Sequence, residues 1–188
     1  MCDLATIYTI ISIADVAIIV AIVSCGVAIA LNLGFITAGG APIAFGIALA
    51  SGLVAMLGFG PVAGMLAGCQ SPPCASLATE ALAYFALVTG ALGTGIAIAY
   101  IAILTSAVPG VGIAPMVSYG VFLLVASGFL AAALDRMRTL QGCLTTPVPP
   151  EAAAANALGY IAVGVAVIAV LIVAALFGRS SGPGKPGG

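Results

Sequence analysis

Asp15 is the acid in this chain whose position most demands an explanation. The apolar run that must contain it, about Thr6 to Leu33, holds no other acid or base, and Asp15 lies roughly 8 residues, about 12 Å, past its start. An acid at that depth in a hydrocarbon-spanning helix is costly, which makes it a candidate proton or cation site for a transporter. The plainer readings are that the helix begins later, or that Asp15 is protonated and hydrogen-bonds to a neighbouring helix.

The second set of reactive residues is the cysteines. Cys2, Cys69, Cys74 and Cys143 flank apolar segments, whereas Cys25 falls within one. The four flanking thiols suit two disulfides in an oxidising compartment. Cys69 with Cys74 would close a short proline-stiffened loop and Cys2 with Cys143 would tie the N-terminus to a later one, but sequence admits any of the three pairings. Free thiols, a four-thiolate metal site and palmitoylation on a cytoplasmic face are the alternatives. The Cys69-x4-Cys74 spacing is not the CxxC of disulfide-forming enzymes, and the loop carries no base to stabilise a thiolate.

Little other chemistry is available. The chain has no histidine and no tryptophan, which removes imidazole catalysis and histidine-bound haem or metal. We expect no enzyme, no cofactor and no bound metal. Four basic residues and a net charge of -1 leave no surface to neutralise phosphates, so nucleic acid is not an expected partner. Glu80 reads as a first-turn partner for a helix dipole, Asp135 as a partner for Arg138 one turn on, and Glu151 as the start of a last helix.

The elements that position these residues follow from composition. In 188 residues, 63% are hydrophobic and 5% charged, against roughly 25% charged in soluble domains. The stretches 16–79, 81–134 and 152–178 carry no Asp, Glu, Lys or Arg. Each reaches or exceeds the roughly 20 residues that cross a bilayer core, and the longer two must each hold more than one span. Lipid leaves the backbone only helices or closed barrels, and runs without alternation select helices.

The expected fold is therefore an all-α polytopic transmembrane bundle of five spans without a soluble domain, occupying residues 1–178. Glycine, proline and charge place the spans at about 6–33, 43–67, 76–106, 114–138 and 151–177. Ser76 is a candidate N-cap, and Pro61 a candidate kink in the second span. Residues 179–188 have the composition of a flexible tail. Met1-Cys2-Asp3 lacks a basic signal-peptide region, so the first helix is expected to be retained.

Five spans place the N-terminus and the loops 68–75 and 139–150 on one side, and the loops 34–42 and 108–113 with the tail on the other. Tyr8, Tyr84 and Tyr160 then mark the first interface, Tyr100 and Tyr119 the second. The basic residues do not orient the protein, because Arg136 and Arg138 oppose Arg179 and Lys185. Disulfides would place the side with Cys2, Cys69, Cys74 and Cys143 outside and the tail in the cytoplasm.

The small residues carry the last expectation. Ala48, Gly52, Met56, Gly60, Gly64 and Gly68 recur every fourth residue in the second span, and Ala91, Gly95 and Ala99 do so in the third. Such stripes let helices approach closely in lipid, where packing rather than hydrophobic drive holds them together. The chain reads as a structural or accessory subunit, bacterial or viral, that packs against other membrane subunits or copies of itself. The alternative is a small transporter or channel built around Asp15.

Overall fold

The computed structural model describes residues 2–33, 40–70, 72–105, 112–144 and 147–180. They form five helices: α1 (Leu4–Asn32), α2 (Ala41–Ala67), α3 (Ala75–Thr105), α4 (Ile113–Leu144) and α5 (Glu151–Ser180). Each is long and apolar enough to cross a membrane, and no strand occurs among the described residues. The chain is a multi-pass membrane protein. Residues 34–39, 106–111 and 181–188, which include most of two expected loops and of the tail, lie outside the described residues.

The ends of the helices depart from the expected bounds for local reasons. α1 begins earlier, because Asp3 caps it: its carboxylate accepts from the Thr6 amide at 3.2 Å and from the Thr6 hydroxyl at 2.7 Å. α3 starts at Ala75, so Ser76 lies inside its first turn, and the Cys74 carbonyl receives the Ala78 amide. α4 continues six residues beyond Arg138, to Leu144, until the proline-rich segment after it stops the helix. α5 runs through Ser180, further than the tail composition suggests. Pro61 sits on the exposed side of α2, which remains helical on both sides of it.

α1 packs against α2, α4 and α5, while α4 packs against α1, α3 and α5, and α2 also meets α3. Helices α1 to α4 therefore close a ring, with α5 laid over the seam between α1 and α4. Much of α5 faces outward, through Val167, Ile168, Leu171 and Ile172 among others.

Glycines set the closest approaches. A Cβ at Gly58 on α2 would come 2.9 Å from that of Ala14 on α1, and one at Gly95 on α3 would come 2.6 Å from that of Phe122 on α4. At Gly52 it would overlap the Tyr119 hydroxyl. The Tyr119 ring, edge-on to Phe45 with centroids 6.0 Å apart, is wholly buried at the junction of α2, α3 and α4. Tyr8 is also wholly buried. Both therefore face the interior of the bundle, in contrast to the exposed Tyr100 and Tyr160.

Candidate functional site

Two disulfides gather at the end of the bundle that holds the start of α1. They join Cys2 to Cys69, with Cα atoms 4.8 Å apart, and Cys74 to Cys143, with Cα atoms 5.9 Å apart. Of the three pairings that the sequence admits, the structure has this one and not Cys69–Cys74 with Cys2–Cys143. The reason lies in the antiparallel hairpins, since the start of α1 returns to the end of α2 and the start of α3 to the end of α4. Each bond clamps the open end of one hairpin. Cys25 remains a buried free thiol, within 3.3 Å of the Met116 carbonyl.

Beside the second clamp, Glu80 forms an ion pair with Arg136 at 3.2 Å. Glu80 stands beyond the first turn of α3, so the expected role as dipole partner is replaced by a link between helices. Both side chains are substantially exposed, and such a pair contributes little stability. Nor does Arg138 pair with Asp135. Its Nε donates to Asn156 Oδ1 at 3.1 Å, its Nη1 to the Tyr160 hydroxyl at 3.4 Å, and its guanidinium lies 5.1 Å from the centre of the Tyr160 ring. Tyr160 is one turn beyond Asn156 on α5, so the planar cation reaches both.

These contacts belong to a polar seam along α1, α4 and α5. Nearest the clamped end, the buried Tyr8 hydroxyl donates to Gln141 Oε1 at 3.3 Å. Arg138, one turn deeper on α4, follows with its partner Asn156 on α5. Asp15 lies deeper still, two turns beyond Tyr8 on the same face of α1 and about 16 Å from the start of that helix. It is fully buried, neither carboxylate oxygen has a hydrogen-bond partner, and a Cβ at Gly159 of α5 would lie 3.5 Å from its Oδ2. The same Cβ would overlap Leu134 of α4. Asp15 is thus enclosed by three helices, with α5 as its cover.

Asn156 and Gln141 were not singled out in the sequence. Their signal was faint: single amides near helix ends, with nothing to indicate which helix they meet. Asn156 secures itself by donating from Nδ2 to the Ala152 carbonyl at 2.7 Å, leaving its oxygen for Arg138. Among the described residues, no group of three or more Asp, Glu, Cys or His side chains comes together to hold a metal ion.

The small residues divide into two groups. Gly52, Gly95 and Ala99 are buried in the bundle, and Ala91 is half-buried. Gly60, Gly64 and Gly68 are exposed, and a Cβ at Gly60 or Gly64 would touch nothing within 4 Å. The buried face of α2 is Ala48, Gly52, Ala55, Phe59, Val62 and Leu66, which alternates steps of three and four. A pure four-residue stripe turns about 40° per step, so by Gly64 it has passed to the opposite side of the helix. Between α2 and α3 the Met56 sulfur lies against Gly93, while Gly52 and Gly95 both make room for α4.

No protein-family model matches this chain, no curated protein matches it, and no solved structure matches it.

Proposed function

We propose that this protein is a non-enzymatic structural or accessory subunit that packs against other membrane subunits, or copies of itself, within a larger bacterial or viral membrane assembly. The observation that carries this reading is the outward placement of Gly60 and Gly64, whose missing side chains serve no contact within the chain. In lipid, a helix face without side chains lets a partner backbone approach closely. The remainder of the molecule suits a rigid insert, with two clamped hairpins and little mass outside the helices.

The test is recovery of a companion in mild detergent. Gly64→Leu fills only outward space, so the bundle should keep its unfolding temperature while the copurified partner or second copy is lost. A wild-type chain that purifies solely as a monomer would remove this reading. In orientation, we place the disulfide-bearing end in the oxidising, exoplasmic compartment and the C-terminal tail in the cytoplasm. Alkylation of intact cells reports on that assignment, because paired cysteines label only after reduction.

The second reading is a small transporter or channel that uses Asp15. The burial of that carboxylate between three helices favours it. Ion-dependent flux into proteoliposomes, abolished by Asp15→Asn, is its test.

A further inference from the structure

All the buried side-chain nitrogen and oxygen atoms that lack a hydrogen-bond partner among the described residues belong to α1, α4 or α5. They are Asp15 Oδ1 and Oδ2, Gln141 Nε2 and Glu151 Oε2. Most hydroxyls elsewhere in the bundle are settled within their own helix. Thr89, Thr94, Ser118 and Ser127 each donate to a carbonyl four residues earlier. Among the described residues, incomplete pairing of buried polar atoms is therefore confined to three helices, α1, α4 and α5.

The polar seam along these helices also has a direction. From the clamped end it presents Tyr8 with Gln141, then Arg138 with Asn156, and finally Asp15 against Gly159. Beyond Asp15 the buried residues of these helices are mainly apolar, with Ile18 and Ile22 on α1, Leu130 and Leu123 on α4, and Ala162 and Ala166 on α5, and the Cys25 thiol is taken up by the Met116 carbonyl. Ser127, on this stretch, spends its hydroxyl on the Leu123 carbonyl. The polar groups thus lead to Asp15 from one end and stop there.

We propose that Asp15 is a reversible proton-binding site, reached along this seam from the disulfide-bearing end and covered by α5. An ionised carboxylate without donors in such surroundings is expensive, and a proton satisfies it with a single bond. An alkali cation would need several oxygen ligands around it, and among the described residues no group of three or more Asp, Glu, Cys or His side chains forms around Asp15. The charged and titratable groups on the helices packed against α1 do not supply a counter-charge. α2 has none; on α4, Arg138 is engaged with Asn156 and Tyr160, Arg136 pairs with Glu80, and Asp135 and Tyr119 are acids. On α5 the groups are Glu151 at its start and Tyr160, which meets Arg138, and on α1 itself Tyr8 stands two turns to one side and the free Cys25 thiol nearly three turns to the other.

The inference shares Asp15 with the transporter reading but not its fate, because proton binding is measured without flux. The probe is dicyclohexylcarbodiimide, a hydrophobic reagent that modifies protonated carboxyl groups in apolar surroundings, applied to the intact purified chain in proteoliposomes. Peptide mass spectrometry should find Asp15 modified, with modification lost as the pH is raised and unaffected by sodium, potassium or lithium salts at constant pH. The unfolding temperature of the wild type should also shift with pH over the same range, and that shift should be absent in Asp15→Asn. Modification that ignores pH, protection by an alkali salt, or no modification of Asp15 at any pH would each overturn the proposal. If Asp15→Asn does not fold, the wild-type labelling series decides alone.

Discussion

The hydroxyl of Tyr119 on α4 donates to the Ala48 carbonyl on α2 at 3.1 Å, deep in the bundle where water does not compete. The hydroxyl fits there only because Gly52, one turn further along α2, has no side chain. Interhelical hydrogen bonds in membranes are worth about 0.6 kcal/mol on average, so the steric half of this arrangement should outweigh the polar half.

A double-mutant cycle separates the two. Gly52→Ala should destabilise by about 1–3 kcal/mol through overpacking, and Tyr119→Phe by less than about 1 kcal/mol. Tyr119→Phe combined with Gly52→Ala should cost less than the sum, because removing the hydroxyl relieves the overlap. Reversible unfolding in mixed detergent micelles measures all three, and strict additivity would contradict the geometry.

The disulfides predict a peptide map as well as a stability change. Digestion without reductant should yield the crosslinks Cys2–Cys69 and Cys74–Cys143, with Cys25 the thiol that labels after denaturation. Loops closed over 67 and 69 residues would be worth roughly 4 kcal/mol each in a soluble chain, by loss of unfolded-state entropy. In a bilayer the inserted helices already restrict the unfolded chain. Reduction should therefore lower the unfolding temperature by less than that figure implies.

Removing the amide partner of Arg138 should loosen the attachment of α5. Asn156→Leu deletes the acceptor at 3.1 Å while filling the volume, and the expected loss is about 1 kcal/mol because Arg138 is partly solvated. Faster amide exchange confined to the first turns of α5 would mark the effect. Unchanged exchange there would show that the contact is incidental.

Asp3 makes α1 sensitive to acid. Its bonds to the Thr6 side chain and backbone hold its carboxyl below the ordinary aspartate value. A depressed folded value means that the cap contributes fully above the unfolded aspartate range and loses its contribution as pH falls through the folded value. Exchange at the Thr6 amide, corrected for its intrinsic pH dependence, should rise toward that of Asp3→Ala only on acidification. A cap equally strong at both pH extremes would contradict this.

Much of the architecture is legible before any coordinates. Runs such as Ile43 to Ala67 carry no charge, and lipid obliges such a run to satisfy its own amides, so each becomes a helix for reasons contained within the segment. Prolines and glycines then place the turns. The departures at Asp3 and Leu144 also have local causes, a cap at one and a late proline stop at the other.

Which face of each helix turns inward is a different matter. Gly52 and Gly64 both lie in apolar surroundings in the chain, yet one seats Tyr119 and the other faces outward. In water the two sides of α2 would differ in polarity; in lipid both are apolar, so composition carries almost no trace of the inward direction. The sequence by itself determined five spanning rods, a buried acid and four cysteines at one end. Only the tertiary packing decided that Cys2 meets Cys69, that Arg138 reaches Asn156 instead of Asp135, and that Gly159 lies over Asp15, because those relations depend on how rods with similar surfaces are rotated against one another.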